Sequence, residues 1–145
     1  TGKVSVDSAF MSDSCIEDLE ENLLFFYTGI QRKSSEILDS QSKSARKKDK
    51  EVVNSMHKIK RIGQDCYNHF NEGNVDWFGN SLNTHWIMKK GISKKMSTGL
   101  IDEYYSIAMS HGALGGKIMG AGGGGFLLIY AEKKYTRVSI SKKRR

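Results

Sequence analysis

The residues best suited to chemistry gather near the C-terminal end. From Gly112 to Phe126 the chain reads Gly-Ala-Leu-Gly-Gly-Lys-Ile-Met-Gly-Ala-Gly-Gly-Gly-Gly-Phe. Glycine lacks a Cβ, so its backbone reaches positive φ and approaches other surfaces closely. Successive N–H groups can then point into one concavity and hold an anion. Ordering such a stretch costs more conformational entropy than a plain connection needs. A tightly packed glycine hairpin without any ligand explains the same pattern, and both readings stand on shape alone. The run is not a Walker loop, because the terminal Gly-Lys-Ser/Thr is missing. It is not a dinucleotide fingerprint either, since the glycines follow a presumed strand without opening a helix.

Cations accompany the loop. Lys117 lies inside the motif, placed either to neutralise a phosphate or to brace the loop. Arg32 and Lys33 follow the Thr28-Gly29 turn. An arginine fork suits phosphate, while a solvated helix start is the plain alternative. Lys89 falls on the apolar stripe of a predicted helix with Trp86, so it either snorkels or meets an anion or carboxylate. Trp86 reads as core. His85 and His111 have no companion ligands for a metal, and Cys15 and Cys66 lack metal-ligand spacing. Both thiols read as free, in a reducing compartment.

The elements that carry these residues are legible from periodicity. Val4 and Val6 alternate with polar neighbours as a short strand, and Ser12 to Glu21 reads as a loop or helical turn. Leu23 to Tyr27 is a continuous apolar run closed by Thr28-Gly29, the pattern of a buried strand. A helix begins within Ile30 to Leu38, and Ser40 to Lys50 reads as a mobile polar connection. Val52, Met56, Ile59, Gly63, Cys66 and Phe70 make one helical stripe that Gly73 stops. Asn74 or Asp76 caps the next helix, with Phe78, Leu82, His85, Trp86, Lys89 and Ile92 on one side. Ser97 and Thr98 precede a third helix whose expected inner face is Leu100, Tyr104, Ile107 and Ala108, ended by Gly112. Gly115 to Met119 and Phe126 to Ala131 read as strands flanking the glycine loop. Strands at both ends with helices between them predict an α+β fold, a ferredoxin-like antiparallel sheet with helices packed on one face.

The chain has 145 residues, 38% of them hydrophobic, enough for one domain with a real core. No apolar run approaches membrane-spanning length, and no signal-peptide pattern opens the chain. The net charge of +7 suits an anionic partner: nucleotide, phosphorylated metabolite or nucleic acid. Acidic residues crowd the start, and basic residues crowd Lys43 to Lys50 and the tail from Lys133 to Arg145.

Lys117 to Gly125, Lys-Ile-Met-Gly-Ala-Gly-Gly-Gly-Gly, resembles the third motif of the GHMP kinases, a family named for galactokinase, homoserine kinase, mevalonate kinase and phosphomevalonate kinase. That motif is usually written Lys-x-Thr-Gly-Ala-Gly-Gly-Gly-Gly, so Met119 stands where the family often has a hydroxyl. Leu23 to Leu38, His85 to Lys90 and Ile101 to Tyr105 resemble the branch that phosphorylates D-glycero-D-manno-heptose 7-phosphate. The resemblance covers most of Leu23 to Ala131. Relatives acting on fucose or galactose share the glycine loop.

The resemblance implies the C-terminal domain of a two-domain sugar kinase, with the active site between the domains. It implies phosphate- or substrate-binding roles for Gly120, Ala121, Gly122, Gly123, Gly124 and Gly125, with Lys117, Arg32 and Lys89. ATP and Mg²⁺ would be bound mainly by the N-terminal domain. That domain's Pro-x-x-x-Gly-Leu-Gly-Ser-Ser motif, its acidic residue and its phosphate-facing lysine are not found in this sequence, so no catalytic residue is assigned here. Residues 1–145 therefore read as a fragment, inactive alone, with 133–145 a basic and shortened tail. The expected partners are a sugar phosphate, ATP and an N-terminal kinase domain, in the cytoplasm. No membrane partner is expected, and a homodimer stays open. Two other readings remain: a basic α+β module binding RNA or an anionic metabolite without catalysis, and a decayed kinase fragment. Against RNA, Phe25, Phe26 and Phe126 fall in apolar runs that predict burial rather than a stacking platform.

Overall fold

The computed structural model describes residues 6, 8, 10–46, 50–93 and 95–135. The strand expected at Val4 and Val6 lies outside these residues except for Val6, which is exposed and outside any strand. Of the basic tail, Lys133 to Tyr135 is described, and Lys133 and Lys134 pair with Glu21 and Glu132.

Helix α1 spans Asp13–Asn22 and runs straight into strand β1, Leu23–Tyr27. A loop or single turn was expected at α1. Two features make it a ten-residue helix. The Ser12 hydroxyl accepts the Cys15 N–H as an N-cap, and Leu19 packs beside Leu128 and Tyr130. Tertiary packing sustains a helix whose own sequence is too polar to announce one.

Helix α2 (Ser34–Arg46) extends well into the stretch expected to be mobile. It buries Ile37 and is tied at its middle to Ser93, the Ser40 and Ser93 hydroxyl oxygens lying 2.8 Å apart. Helix α3 (Lys50–Asn71) follows the predicted stripe and stops at Gly73, whose φ is 76°. Helix α4 (Val75–Ile92) is capped by Asn74, whose side chain accepts the Trp77 N–H. Helix α5 (Gly99–Ser110) is capped by Thr98 in the same way and ends at Gly112, φ 92°.

Strands β2 (Ala113–Ile118) and β3 (Phe126–Ala131) form a hairpin around the glycine loop. The three strands make one antiparallel sheet in the order β1-β3-β2. This is the expected α+β arrangement. Alternation along β3 sorts its side chains between two sides. Leu128 and Tyr130 meet Leu82 and Phe78 of α4. Leu127, Ile129 and Ala131 join a buried cluster with Trp86, Ile101, Ala113 and Ile118. The Tyr130 hydroxyl, wholly buried, accepts from Asn22 and donates to Asp76.

The α4–β2 seam is unusually close. A Cβ on Gly115 would sit 2.6 Å from the Asn83 backbone nitrogen, and one on Gly79 would sit 2.8 Å from Cε1 of Tyr130. Glycine at both positions lets the helix backbone lie on the strand.

Two expectations are corrected here. Strand β1 is an edge strand, and the side chains of Phe25, Phe26 and Tyr27 are exposed, Phe25 by 60%. Phe126 at the start of β3 is exposed as well. An apolar run signals burial only where neighbours cover it, and the described residues do not cover this edge. The objection to nucleic acid that rested on burial of Phe25, Phe26 and Phe126 falls with it. Second, α5 turns Ile101, Tyr105, Ala108 and Met109 inward, while Leu100, Tyr104 and Ile107 are exposed. Two apolar stripes compete on this helix. The Tyr105 hydroxyl decides the rotation by donating to Asn83 Oδ1 at 2.7 Å. Tyr104 and Ile107 instead line a concavity of about 420 Å³ with Leu24, Phe26, Leu127 and Ile129.

Candidate functional site

The glycine loop is anchored at several points by segments distant in sequence. The Gly123 N–H donates to Met96 O at 2.8 Å and the Gly125 N–H to Ile30 O at 2.8 Å. Gly125 O accepts both the N–H and the hydroxyl of Thr28. Thr28 is buried, and this clamp was not foreseen; its signal was the Thr-Gly pair that closes β1.

The anchors explain most of the glycines. A Cβ at Gly122 would lie 2.8 Å from Met96 Sδ, one at Gly123 3.0 Å from Lys95 O, and one at Gly124 2.6 Å from Ile30 O. These three are glycine because the loop is pressed against the 93–96 turn and Ile30. Gly120 and Gly125 have open space around them but φ of 72° and 87°. The packed-hairpin reading is therefore correct for one side of the loop.

The other side tells more. The N–H groups of Gly120, Ala121 and Gly124 donate to no group among the described residues, while a turn over 120–121 directs the Gly122 N–H back toward Met119. The N–H groups of Gly123 and Gly125, expected to join an anion cradle, are consumed by the anchoring.

The structure brings the candidate cations to the same loop. The Arg32 stem runs beside Gly123, where an added Cβ would be 3.2 Å from Arg32 Cδ. Its guanidinium is exposed and has no ion pair among the described residues. Lys89 Nζ donates to Gly120 O at 2.6 Å. Lys117 is half-buried on β2, in register with Leu128, and pairs with no carboxylate among the described residues. Burial lowers the pKa of both lysines, and for Lys89 the neighbouring Lys117 adds to the effect. Lys90 is different. It pairs with Asp102 at 3.0 Å and lies 5.7 Å above the Trp86 ring. Trp86 itself is core, as expected.

His85, set aside as a metal ligand, belongs to this group on other grounds. It precedes Lys89 by one helical turn, and its Nδ1 is buried without a hydrogen-bond partner. Burial first, then Lys117 and Lys89, push its pKa down to about 4. The unfolded chain takes up this proton near pH 6.5, whereas the fold resists it until about 4. The contribution of His85 to stability should therefore be level above pH 7 and be lost progressively as pH drops from 6.5 to about 4. Urea midpoints at pH 7 and pH 4.5 test this, and His85→Leu should flatten the slope.

Comparison with known proteins bears on the whole constellation. Residues 68–143, just over half of the chain, match the family model described as GHMP kinases C terminal. The chain belongs to the GHMP kinase family. Its expected fold, a GHMP C-terminal domain, stands confirmed. Among curated proteins, this GHMP domain is 26% identical to a D-glycero-alpha-D-manno-heptose 7-phosphate kinase of Campylobacter jejuni, covering 97% of the chain and 42% of that protein. It is 24% identical to a bifunctional fucokinase/GDP-fucose pyrophosphorylase of Arabidopsis thaliana, covering 90% of the chain and 12% of that protein. The chain thus spans less than half the length of these relatives. Among solved structures, it superposes on a mevalonate kinase from L. major with a TM-score of 0.73 at 20% identity, covering 83% of the chain and 36% of the other. A D-glycero-D-manno-heptose 1-phosphate kinase from Bacteriodes thetaiotaomicron follows with a TM-score of 0.56 at 20% identity, covering 91% and 32%. Among the described residues, no helix is long and apolar enough to cross a membrane.

Proposed function

We propose that this chain is the C-terminal, substrate-facing part of an ATP-dependent sugar kinase. Its acceptor in this reading is a phosphorylated sugar, D-glycero-D-manno-heptose 7-phosphate, which gains a second phosphate at the anomeric hydroxyl. The observation that carries the reading is the glycine loop. Gly123 and Gly125 lock it into the fold, Gly120, Ala121 and Gly124 keep N–H groups without a partner among the described residues, and two cations without an ion pair among those residues adjoin it, Arg32 beside Gly123 and Lys117 at its root. Such a surface suits a phosphate oxygen better than any uncharged ligand. Family membership favours kinase over stand-alone RNA module, and the names of the two heptose kinases point to the sugar class.

Phosphoryl transfer is largely positioning and charge stabilisation. In this reading Gly120 to Gly124 form the wall against which the substrate is held. Arg32 recognises its existing phosphate, and Lys89 fixes the loop's first carbonyl. ATP supplies the transferred group, with Mg²⁺ offsetting its charge. Among the described residues no three His, Cys, Asp or Glu converge on a metal site. In this reading the N-terminal kinase domain holds the metal.

The test is coupled ATP consumption with a panel of heptose 7-phosphate, unphosphorylated heptose, fucose and galactose. The chain alone should give no turnover. With an N-terminal kinase domain supplied in fusion, kcat/KM should favour the phosphorylated heptose. Arg32→Ala should cut that value by roughly tenfold to a hundredfold, the size of one charge-assisted contact. Turnover by the chain alone, or equal use of phosphorylated and unphosphorylated sugar, overturns the reading.

A further inference from the structure

Three nitrogen-bearing side chains lie at the root of the glycine loop, and none of them pairs with a carboxylate among the described residues. His85 and Lys89 lie one turn apart on α4, and Lys117 comes from β2 opposite. Helix α4 lies directly on β2, and Lys117 shares the sheet face on which its register partner Leu128 meets Leu82 of α4. From α5 the facing group is Tyr105, whose hydroxyl is already spent on Asn83. On that helix Asp102 is committed to Lys90 and Ser97. Fold stability alone does not account for this arrangement. A half-buried cation without a counter-charge destabilises the state that contains it, and a second cation beside it makes matters worse. The His85 Nδ1 adds a buried polar atom with nothing to bond.

We propose that Lys117, Lys89 and His85 form a binding site for a phosphoryl dianion, and that Lys89 couples its occupancy to the glycine loop. Lys117 supplies the free charge. Lys89, already holding Gly120 O, has two further ammonium protons to offer. His85 supplies a ring nitrogen whose N–H can donate once a dianion offsets the lysines. The site rests on the kinase reading only for whose phosphate it takes; the dianion chemistry is the same for a sugar monophosphate or a nucleotide.

The test is a phosphate titration of the 145-residue chain at fixed ionic strength, followed by the NMR signal of the His85 ring. At pH 8, where inorganic phosphate is mostly dianionic, it should shift that signal saturably. The Gly120 and Ala121 amides should move with the same midpoint. Lys117→Met should weaken phosphate at least tenfold, while Lys117→Arg should stay within about threefold. Lys117→Met should also melt higher than the parent without phosphate, because the uncompensated cation is gone. A linear, unsaturable shift shared by parent and Lys117→Met overturns the site, and so does a lower melting point for Lys117→Met. Parallel titrations with glucose 6-phosphate and ADP separate the two sources. A response at His85 without turnover by the fused enzyme would keep the site and remove the kinase reading. Turnover without that response would do the reverse.

Discussion

Trp86→Ala should cost about 4 kcal/mol of folding stability, within the range for removing a buried indole. Trp86 is fully buried and packs with Ile101, Ala113, Ile118, Leu127 and Ile129, members drawn from α5, β2 and β3. Its ring also lies 6.4 Å from that of Tyr105. Truncation opens a cavity where three elements meet, so no single element can collapse into it. The melting temperature should fall by on the order of 10 °C. Trp86→Phe should be much milder. The indole N–H is buried without a partner, so phenylalanine gives up volume but also removes an unsatisfied donor. A thermal melt of both variants measures the contrast. Equal losses for Ala and Phe would show that the cavity is not the dominant cost.

Gly115→Ala should be nearly as damaging, roughly 3 kcal/mol, although it adds a single methyl group. The methyl would meet the Asn83 nitrogen at 2.6 Å and the Gly79 carbonyl oxygen still more closely. Both obstacles are helix backbone, which has no rotamer to change, so α4 must lift from β2. The consequence reaches the loop. Lys89 and His85 ride on α4 while Lys117 rides on β2, so separating the two elements spreads the cations. Phosphate affinity should drop along with stability. Gly91→Ala on the same helix is the control, since its Cβ meets open space. A Gly115→Ala protein as stable as the Gly91→Ala protein would show that the seam is looser than described.

How far the sequence reached follows from where each signal resides. Helices α3 and α4 were legible because their apolar stripes are long and their boundaries carry Gly73 and Asn74. The glycine loop was legible because four glycines in a row have few structural excuses. Helix α1 was not, because its stability comes from one hydroxyl cap and from Leu19 meeting residues more than a hundred positions away. The rotation of α5 was ambiguous by one residue, and a hydrogen bond from Tyr105 to another helix settled it. Exposure of Phe25 and Phe26 was hidden for a related reason. Composition shows which side chains are apolar, while cover depends on which strand lies at the edge. At the candidate site, Arg32, Lys89 and Lys117 were found as isolated cations. The convergence of Lys89 and Lys117 with His85 needed the α4–β2 contact, which periodicity along one element does not contain.

The ties that Gly123 and Gly125 make to Met96 and Ile30 bear on the thermodynamics of any ligand the loop receives. A free run of glycines would lose its backbone freedom at the moment of binding, a cost of about 1 kcal/mol or more per residue. Here that loss has already been taken during folding. A ligand arriving at Gly120 or Gly124 therefore finds its donors fixed, and its association should carry a small entropic penalty for a loop so rich in glycine. Calorimetry would show this as an unfavourable entropy that barely changes when the loop is stiffened further.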